Sequence, residues 1–211
     1  MQILYLECVD STQKYLKELI LKEEVSLPYA VVADVQTDGV GSRDNKWDSI
    51  KNNLFLSFAI PFSELPTDLK LESASIYFSY ILKETLEELG SKIWLKWPND
   101  LYICEKKIGG MITNIVKDNV VCGVGLNIVE SPEGFTKLDI VLKRDFLLER
   151  YFINIKKKSL WKQVFSKYKL EFDKNQNFYT HDKNLIISLG NVTLQDDGSI
   201  VINGERIYSR R

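Results

Sequence analysis

The chain has 211 residues, enough for one sizeable core and a small appendage, and its 45% hydrophobic and 27% charged residues are ordinary for a globular protein. A net charge of −1 argues against a nucleic-acid binder, which shows a basic stripe; Lys156-Lys157-Lys158 and Arg210-Arg211 are small solvated clusters. Three cysteines (Cys8, Cys104, Cys122) without CxxC spacing indicate neither a disulfide framework nor a zinc site, and a single histidine, His181, argues against a histidine-based triad or metal cluster. No signal peptide and no apolar run of about 18 residues is found, so a cytoplasmic protein is expected, with no membrane or nucleic-acid partner.

Ile3 to Cys8 reads as a first strand. Asp10-Ser11-Thr12 is an N-cap cluster, and Tyr15, Leu16, Leu19 and Ile20 recur at helical spacing, which predicts a helix to about Glu24. Ala30 to Val35 is a buried-type strand. It leads into Gln36-Thr37-Asp38-Gly39-Val40-Gly41-Ser42-Arg43-Asp44-Asn45-Lys46-Trp47. Such a glycine-bearing loop can bring backbone N–H groups to phosphates, although it lacks a Walker lysine and a dinucleotide fingerprint; taken alone it reads as a plain connection.

Leu54 to Ile60 is a strand, and Leu71 to Leu89 a helix stopped by Gly90. Next comes Trp94 to Gly110. Ile93, Leu95 and Trp97 alternate with Lys92 and Lys96, the period of a half-buried strand, and Pro98-Asn99-Asp100 is turn chemistry. The chain returns through Leu101 to Ile103, turns at Glu105-Lys106-Lys107, and starts a new apolar run at Ile108. Asn99, Asp100 and Lys107 thus meet on rigid strand ends beside Gly109 and Gly110. An amide, a carboxylate and an ammonium are the parts of a site that activates a carboxylate with a nucleotide. The spacing alone equally suits a polar turn with a solvated lysine pair.

Lys117-Asp118-Asn119 joins Met111–Val116 to Val120–Gly125, an antiparallel pair. Glycines within Gly123-Val124-Gly125-Leu126-Asn127 imply a bulge or a close approach, by a ligand or by tight packing. Phe146 to Phe172 forms two helical segments. From 184 onwards short strands are separated by Asp197-Gly198 and Asn203-Gly204, both hairpin signals. Strands and helices do not alternate regularly. The expected class is α+β, with a mixed, mainly antiparallel sheet and helices packed on one face.

Lys96-Trp97-Pro98-Asn99-Asp100, Lys107-Ile108-Gly109-Gly110 and Gly123-Val124-Gly125-Leu126-Asn127 together resemble, in order and spacing, the motif set of biotin protein ligases. The resemblance covers most of the chain. It implies a catalytic biotin- and ATP-binding domain over 1–180 and a shortened SH3-like β module over 184–211. Ser11-Thr12-Gln13 matches the family's Ser-Thr-Asn, with Gln13 in place of Asn. The resemblance assigns Ser11, Thr12, Gln36, Gly39, Gly110, Gly123 and Gly125 to biotin, and Trp47, Asn99 and Asn127 to the nucleotide. Lys107 becomes the cation that neutralises the reacting anions, supplemented by Arg43, and Asp100 the group that orients an incoming lysine. Arg210 is a looser candidate for the ATP site.

The implied reaction has two halves. Biotin and ATP, with Mg²⁺ as counter-ion, give biotinyl-5′-AMP; a lysine of a biotin carboxyl carrier protein, as in acetyl-CoA carboxylase, then takes the biotinyl group. No permanently bound metal is expected, and the assembly is a monomer or weak homodimer. Some members carry an N-terminal DNA-binding domain; this chain begins at the first catalytic strand, so no repressor activity is expected. The chain departs from the family's ligand-ordered loop, usually Gly-Arg-Gly-Arg-Arg-Gly-Arg-x-Trp. It keeps Gly39, Gly41, Arg43 and Trp47 but has Val40, Ser42, Asp44 and Asn45 where the pattern has Arg, Arg, Gly and Arg. Charge-assisted contacts contribute roughly 1.5–3 kcal/mol each, so weaker retention of the adenylate is expected. Lipoate or octanoate transfer by a related ligase, and a non-catalytic biotin-binding protein with a decayed loop, stay open as alternatives.

Overall fold

The computed structural model describes residues 1–41, 46–182 and 185–208, leaving aside the Lys46 side chain. The chain runs β1 (Gln2–Val9), α1 (Thr12–Leu21), β2 (Tyr29–Gln36), β3 (Gly39–Val40), β4 (Lys46–Trp47), β5 (Leu54–Pro61), α2 (Ala74–Glu88), β6 (Trp94–Lys96), β7 (Asp100–Ile103), β8 (Lys106–Val116) and β9 (Asn119–Leu126). It continues with α3 (Arg144–Lys156), α4 (Trp161–Glu171), β10 (Tyr179–Asp182), β11 (Leu185–Ser188), β12 (Thr193–Leu194), β13 (Ile200–Ile202) and β14 (Glu205–Ile207). The class is α+β, as the sequence implies.

Seven strands form the main sheet in the order β1-β2-β5-β9-β8-β7-β6. Only β1 and β2 pair in parallel; the other neighbours are antiparallel. Side chains alternate between faces along each strand. Ala30, Val32, Leu54, Leu56, Phe58, Ile60, Val120, Cys122 and Val124 face the large core, which they share with α2, α3 and α4. Val31, Ala59 and Val121 point the other way and pack against Leu16 and Ile20 of α1.

The expectation of helices on one face is therefore corrected: α1 covers the opposite face. A parallel β1–β2 pair cannot be closed by a tight turn and needs a crossover, and α1 is that crossover. Its start is fixed locally. Ser11 has extended backbone (φ −152°, ψ 126°) and its hydroxyl accepts from the Lys14 N–H at 3.5 Å, an N-cap that points the first turn of α1 along the sheet.

Leu185–Ser188 pairs with Tyr179–Asp182, a strand that the sequence did not suggest. The remaining C-terminal strands form a three-stranded sheet whose Ile200 and Ile207 join the main core. Three side chains clasp the Asp197-Gly198 turn by its carbonyls. The Trp97 indole N–H donates to Gly198 O (2.8 Å), that of Trp161 to Asp196 O (2.9 Å), and Ser73 Oγ to Asp197 O (2.8 Å). The end of β6, from which the site begins, is thereby held from behind.

A charged side chain is also buried beneath the helices. Lys83 of α2 is 1% exposed and pairs with Glu171 and, at 2.9 Å, with Glu87. Burial alone would raise the Glu171 carboxyl, but hydrogen bonds from Lys83, Tyr80 and Lys174 outweigh it and hold the group below the usual glutamate range. A lowered folded-state value means that this contribution is complete above the unfolded value and is lost as pH falls through the folded one. Glu171→Ala should destabilise the protein by about 3 kcal/mol, since it strips the main partner from a buried ammonium. Urea unfolding between pH 7 and pH 3 checks this: wild type should lose stability on acidification more steeply than the variant.

Candidate active site

Beyond the start of α1 the same sheet face loses its side chains. Val31 of β2, Ser57 of β5, Gly123 of β9 and Ile112 of β8 form one cross-strand row; Phe55, Gly125, Gly110 and Asp100 form the next on the same face. Where Ala59 and Val121 pack under Leu16, these rows substitute Ser57 and three glycines, which leave room above the sheet. The result is a cavity of about 300 Å³ between the α1 N-terminus, the β3–β4 ribbon and the sheet, lined by Ser11, Thr12, Gln13, Gln36, Val40, Trp47, Ser57, Asn99, Asp100, Lys107, Gly110, Ile112, Gly123, Gly125 and Phe135 among others.

One end is neutral and polar. Gln36 Oε1 accepts from the Thr12 N–H (2.8 Å) and the Thr12 hydroxyl (3.1 Å), and Thr12 Oγ1 also lies 2.9 Å from Ser57 Oγ. This fixes the Thr12 and Gln36 side chains before any ligand arrives. Gln13, 5% exposed, presents a buried Nε2 with no protein partner, and a Cβ on Gly123 would lie 3.1 Å from that nitrogen.

The other end is charged. Lys107 Nζ donates to Asp100 Oδ1 at 2.6 Å, and Lys96 Nζ lies 3.5 Å from Asp100 Oδ2. Strand periodicity would put Lys107 and Gly110, three residues apart, on opposite faces. A register shift at Leu101/Tyr102 makes Lys107 the partner of Tyr102 while Gly110 faces Asp100. That bulge brings the ammonium to the carboxylate's face. Gly110 leaves room for the pair, since a Cβ there would sit 3.3 Å from Asp100 Oδ1 and 3.6 Å from Lys107 Cε. Asn99 is buried; its Nδ2 donates to Met111 O, and its Oδ1 is left without a partner.

The residues assigned to the nucleotide divide. Trp47 lies flush on Gly125, where an added Cβ would come within 2.4 Å of Cε2, and meets Phe135 edge-on at 6.4 Å. The bareness of Gly125 therefore accommodates the protein's own indole, whose Nε1 is buried and unpartnered. Asn127 is placed outside the cavity lining: its Nδ2 donates to Thr136 O and its Oδ1 accepts from Asn53, both at 3.3 Å. Asn53 Oδ1 in turn collects the N–H groups of Ile128, Val129 and Glu130. Asn127 thus secures the segment that carries Phe135. Gly39 backs onto Trp47 O in the β3–β4 ribbon and does not line the cavity. Arg43, with Ser42, Asp44 and Asn45, and likewise Arg210, lie outside the described residues.

The structure adds Lys96 and Phe135 to the site and makes Gln13 one of its inward-facing polar groups. Period-2 alternation put Lys96 on the solvent side, and no local pattern marks Phe135. Among the described residues no group of three or more His, Cys, Asp or Glu could hold a metal, and no helix is long and apolar enough to cross a membrane.

Residues 5–127 match the family model described as "Biotin/lipoate A/B protein ligase family". A solved chain from Helicobacter pylori, described as biotin acetyl coenzyme A carboxylase synthetase with bound biotinylated ATP, superposes with a TM-score of 0.94 at 38% identity, covering 98% of this chain and 99% of that one. Biotin protein ligase from Aquifex aeolicus, in complex with biotin and ATP, gives a TM-score of 0.75 at 28% identity, over 98% and 94% of the two chains. The bifunctional ligase/repressor BirA of Salmonella typhimurium is 33% identical over 129 residues, which are 58% of this chain and 39% of that protein. The chain thus matches about two-fifths of the length of such curated relatives. The family match covers more than half of the sequence and falls on the elements that build the cavity: this chain belongs to the biotin/lipoate A/B protein ligase family.

Proposed function

We propose that the protein is a biotin protein ligase. It activates biotin with ATP to biotinyl-5′-AMP and passes the biotinyl group to a lysine of a biotin carboxyl carrier protein, in the cytoplasm. The observation that carries this is one cavity joining an Asp100–Lys107 ion pair to three buried polar atoms without partners, Gln13 Nε2, Asn99 Oδ1 and Trp47 Nε1. Buried polar atoms left unpaired are costly, so a cavity that orphans three of them is built for a polar ligand that pairs them. The related chains that are described with biotin and ATP or with biotinylated ATP support the choice of ligand, and the name of the Helicobacter pylori chain supports acetyl-CoA carboxylase as the source of the carrier.

In the first half-reaction the valerate carboxylate attacks the α-phosphate and pyrophosphate leaves. Two anions must approach each other, and the positive charge at the meeting point is Lys107, which would exchange its bond to Asp100 for the reacting oxygens. Ser11, Thr12, Gln36 and Gln13 surround the neutral end, where the ureido ring would be satisfied, with Gly110 and Gly123 allowing the ring to lie on the sheet. Asn99 Oδ1 offers an acceptor to the adenine amine, and Trp47 with Phe135 covers that side. Asn127 supports the adenine side through Phe135 rather than by touching the base. Arg43 would supplement the charge.

Magnesium would arrive on the ATP phosphates as a counter-ion of the substrate, since among the described residues the cavity lining offers it one carboxylate, Asp100, already engaged by lysines. In the second half-reaction the carrier amine attacks the mixed anhydride and AMP leaves. An amine with a pKa of about 10.4 is mostly protonated at neutral pH, and Asp100, released by Lys107, orients it and takes its proton.

Exchange of labelled pyrophosphate into ATP, with biotin beside lipoate and octanoate, tests the reading: biotin alone should support it. Exchange with lipoate or octanoate instead would move the assignment to the other branch of the family. Lys107→Ala should keep its fold and lose roughly 10²–10³-fold in exchange; near-normal exchange would remove Lys107 from its role. Asp100→Ala should slow transfer to the carrier at least as much as adenylation, and an unaffected transfer step would contradict its part.

The missing loop arginines yield a separate expectation. Dissociation of the adenylate, followed by single-turnover chase, should be faster than in ligases with the full Gly-Arg-Gly-Arg-Arg-Gly motif, and restoring arginine at Val40 and Ser42 should slow it.

A further inference from the structure

Asp100 has two cationic neighbours of different kinds. Lys107 comes from β8, is a quarter exposed and lines the cavity; Lys96 comes from β6, is 9% exposed in its side chain and lies outside the lining. The adenylation reading needs Lys107 to leave Asp100 for the substrate anions. If Lys107 were its only counter-charge, its departure would strand a carboxylate that is 16% exposed, and the cost of that would be added to the reaction barrier. Lys96, outside the cavity lining, can stay beside Asp100 when Lys107 leaves. Its position is set by main-chain pairing, with Lys96 directly opposite Asp100 across β6 and β7. Its ammonium also lies 5.7 Å from the centre of the Tyr102 ring, in cation–π range. The end of β6 is anchored further by Asn175, whose Oδ1 accepts the Trp97 N–H at 2.8 Å.

We propose that Lys96 is a positioning residue: its buried ammonium holds Asp100 charged and in place while Lys107 crosses to the reacting anions. This rests on the biotin-activating reading of the same cavity. In the resting site Asp100 is shared, with Oδ1 on Lys107 and Oδ2 toward Lys96. As adenylation begins, Lys107 transfers to the carboxylate and phosphate oxygens, and Asp100 remains compensated from behind. When the carrier lysine enters, Asp100 presents its Oδ1 side, already oriented, to the incoming amine. Among the described residues, the charged and titratable groups beside Asp100 include Lys96 from β6, Lys107 from β8 and Tyr102 on β7. Tyr102, pushed up to about 12 by burial and then by the Asp100 charge, stays neutral throughout.

The test uses the full chain, with biotin-dependent pyrophosphate exchange and single-turnover transfer to the carrier measured across pH, and thermal unfolding alongside. Lys96→Met should lower kcat roughly 10- to 100-fold with little change in KM for biotin or ATP. In single-turnover transfer to the carrier, the step in which Asp100 takes the proton, its acid limb should move to higher pH, because removing a neighbouring cation makes the Asp100 carboxylate easier to protonate. Lys96→Arg should restore most of kcat and the wild-type limb. Because Lys96 acts through Asp100, Lys96→Met combined with Asp100→Asn should be no slower than Asp100→Asn alone.

An acid limb that stays put in folded, active Lys96→Met, or a full further loss on top of Asp100→Asn, overturns the proposal. If Lys96→Met fails to fold, Lys96→Arg decides: low kcat at unchanged stability overturns it, and retained kcat with the wild-type limb supports it. Absence of biotin-dependent exchange in the wild type overturns the ligase reading, and this inference with it. Exchange in the wild type with an unmoved limb in the variant overturns this inference alone.

Discussion

A carboxylate between two ammonium groups is the point on which this site depends. Asp100 meets Lys107 at 2.6 Å and Lys96 at 3.5 Å, in surroundings where charge is only partly screened. Each feature of the neighbourhood serves that arrangement. The bulge at Leu101/Tyr102 turns Lys107 to the correct face, Gly110 leaves the space into which the pair fits, and β6 places Lys96 opposite Asp100. Behind them Trp97 donates its indole N–H to the Gly198 carbonyl and its backbone N–H to Asn175, so residues far along the chain hold the strand end steady. An ion pair on rigid strand ends is preorganised for chemistry in a way that the same three residues on a mobile loop are not.

The cavity follows from the second constraint, which is omission. The α1 face of the sheet is well packed where Leu16 and Ile20 cover Val31, Ala59 and Val121, and recessed where Gly110, Gly123 and Gly125 replace side chains. The glycines do different things. Gly123 bares the sheet beneath Gln13, whereas Gly125 receives the Trp47 indole. A polar wall of Thr12, Gln36 and Ser57, already hydrogen-bonded to one another, gives the neutral end a fixed shape. One groove thereby separates a polar, uncharged end from an ionic one, as a molecule with a ring at one end and a carboxylate at the other requires.

Much of this was legible in the sequence because it is local. Apolar runs marked Ala30–Val35 and Leu54–Ile60, Ser11 marked the start of α1, and Asp197-Gly198 and Asn203-Gly204 marked the C-terminal turns. The meeting of Asn99, Asp100 and Lys107 was visible because a short hairpin joins them. What was not legible depends on pairing across the fold. That α1 lies on its own face follows from the parallel β1–β2 pair, which no stretch of residues announces. Lys96 looked solvent-facing by alternation, yet the strands and the Tyr102 ring enclose it. Asn127 carries a family motif, but Asn53, 74 positions away, binds its amide within the protein. Phe135 enters the site only because Thr136 and Asn127 fix the segment around it.

The account is tested most directly by a crystal structure of the chain with a non-hydrolysable analogue of biotinyl-5′-AMP. It predicts the ring against Gln13, Thr12 and Gly123, and Lys107 Nζ within hydrogen-bond distance of the acyl or phosphate oxygens. The bond between Lys107 and Asp100 should be open, and Asp100 should still face Lys96. An analogue bound with the Lys107–Asp100 pair intact, or bound outside the cavity, would contradict it.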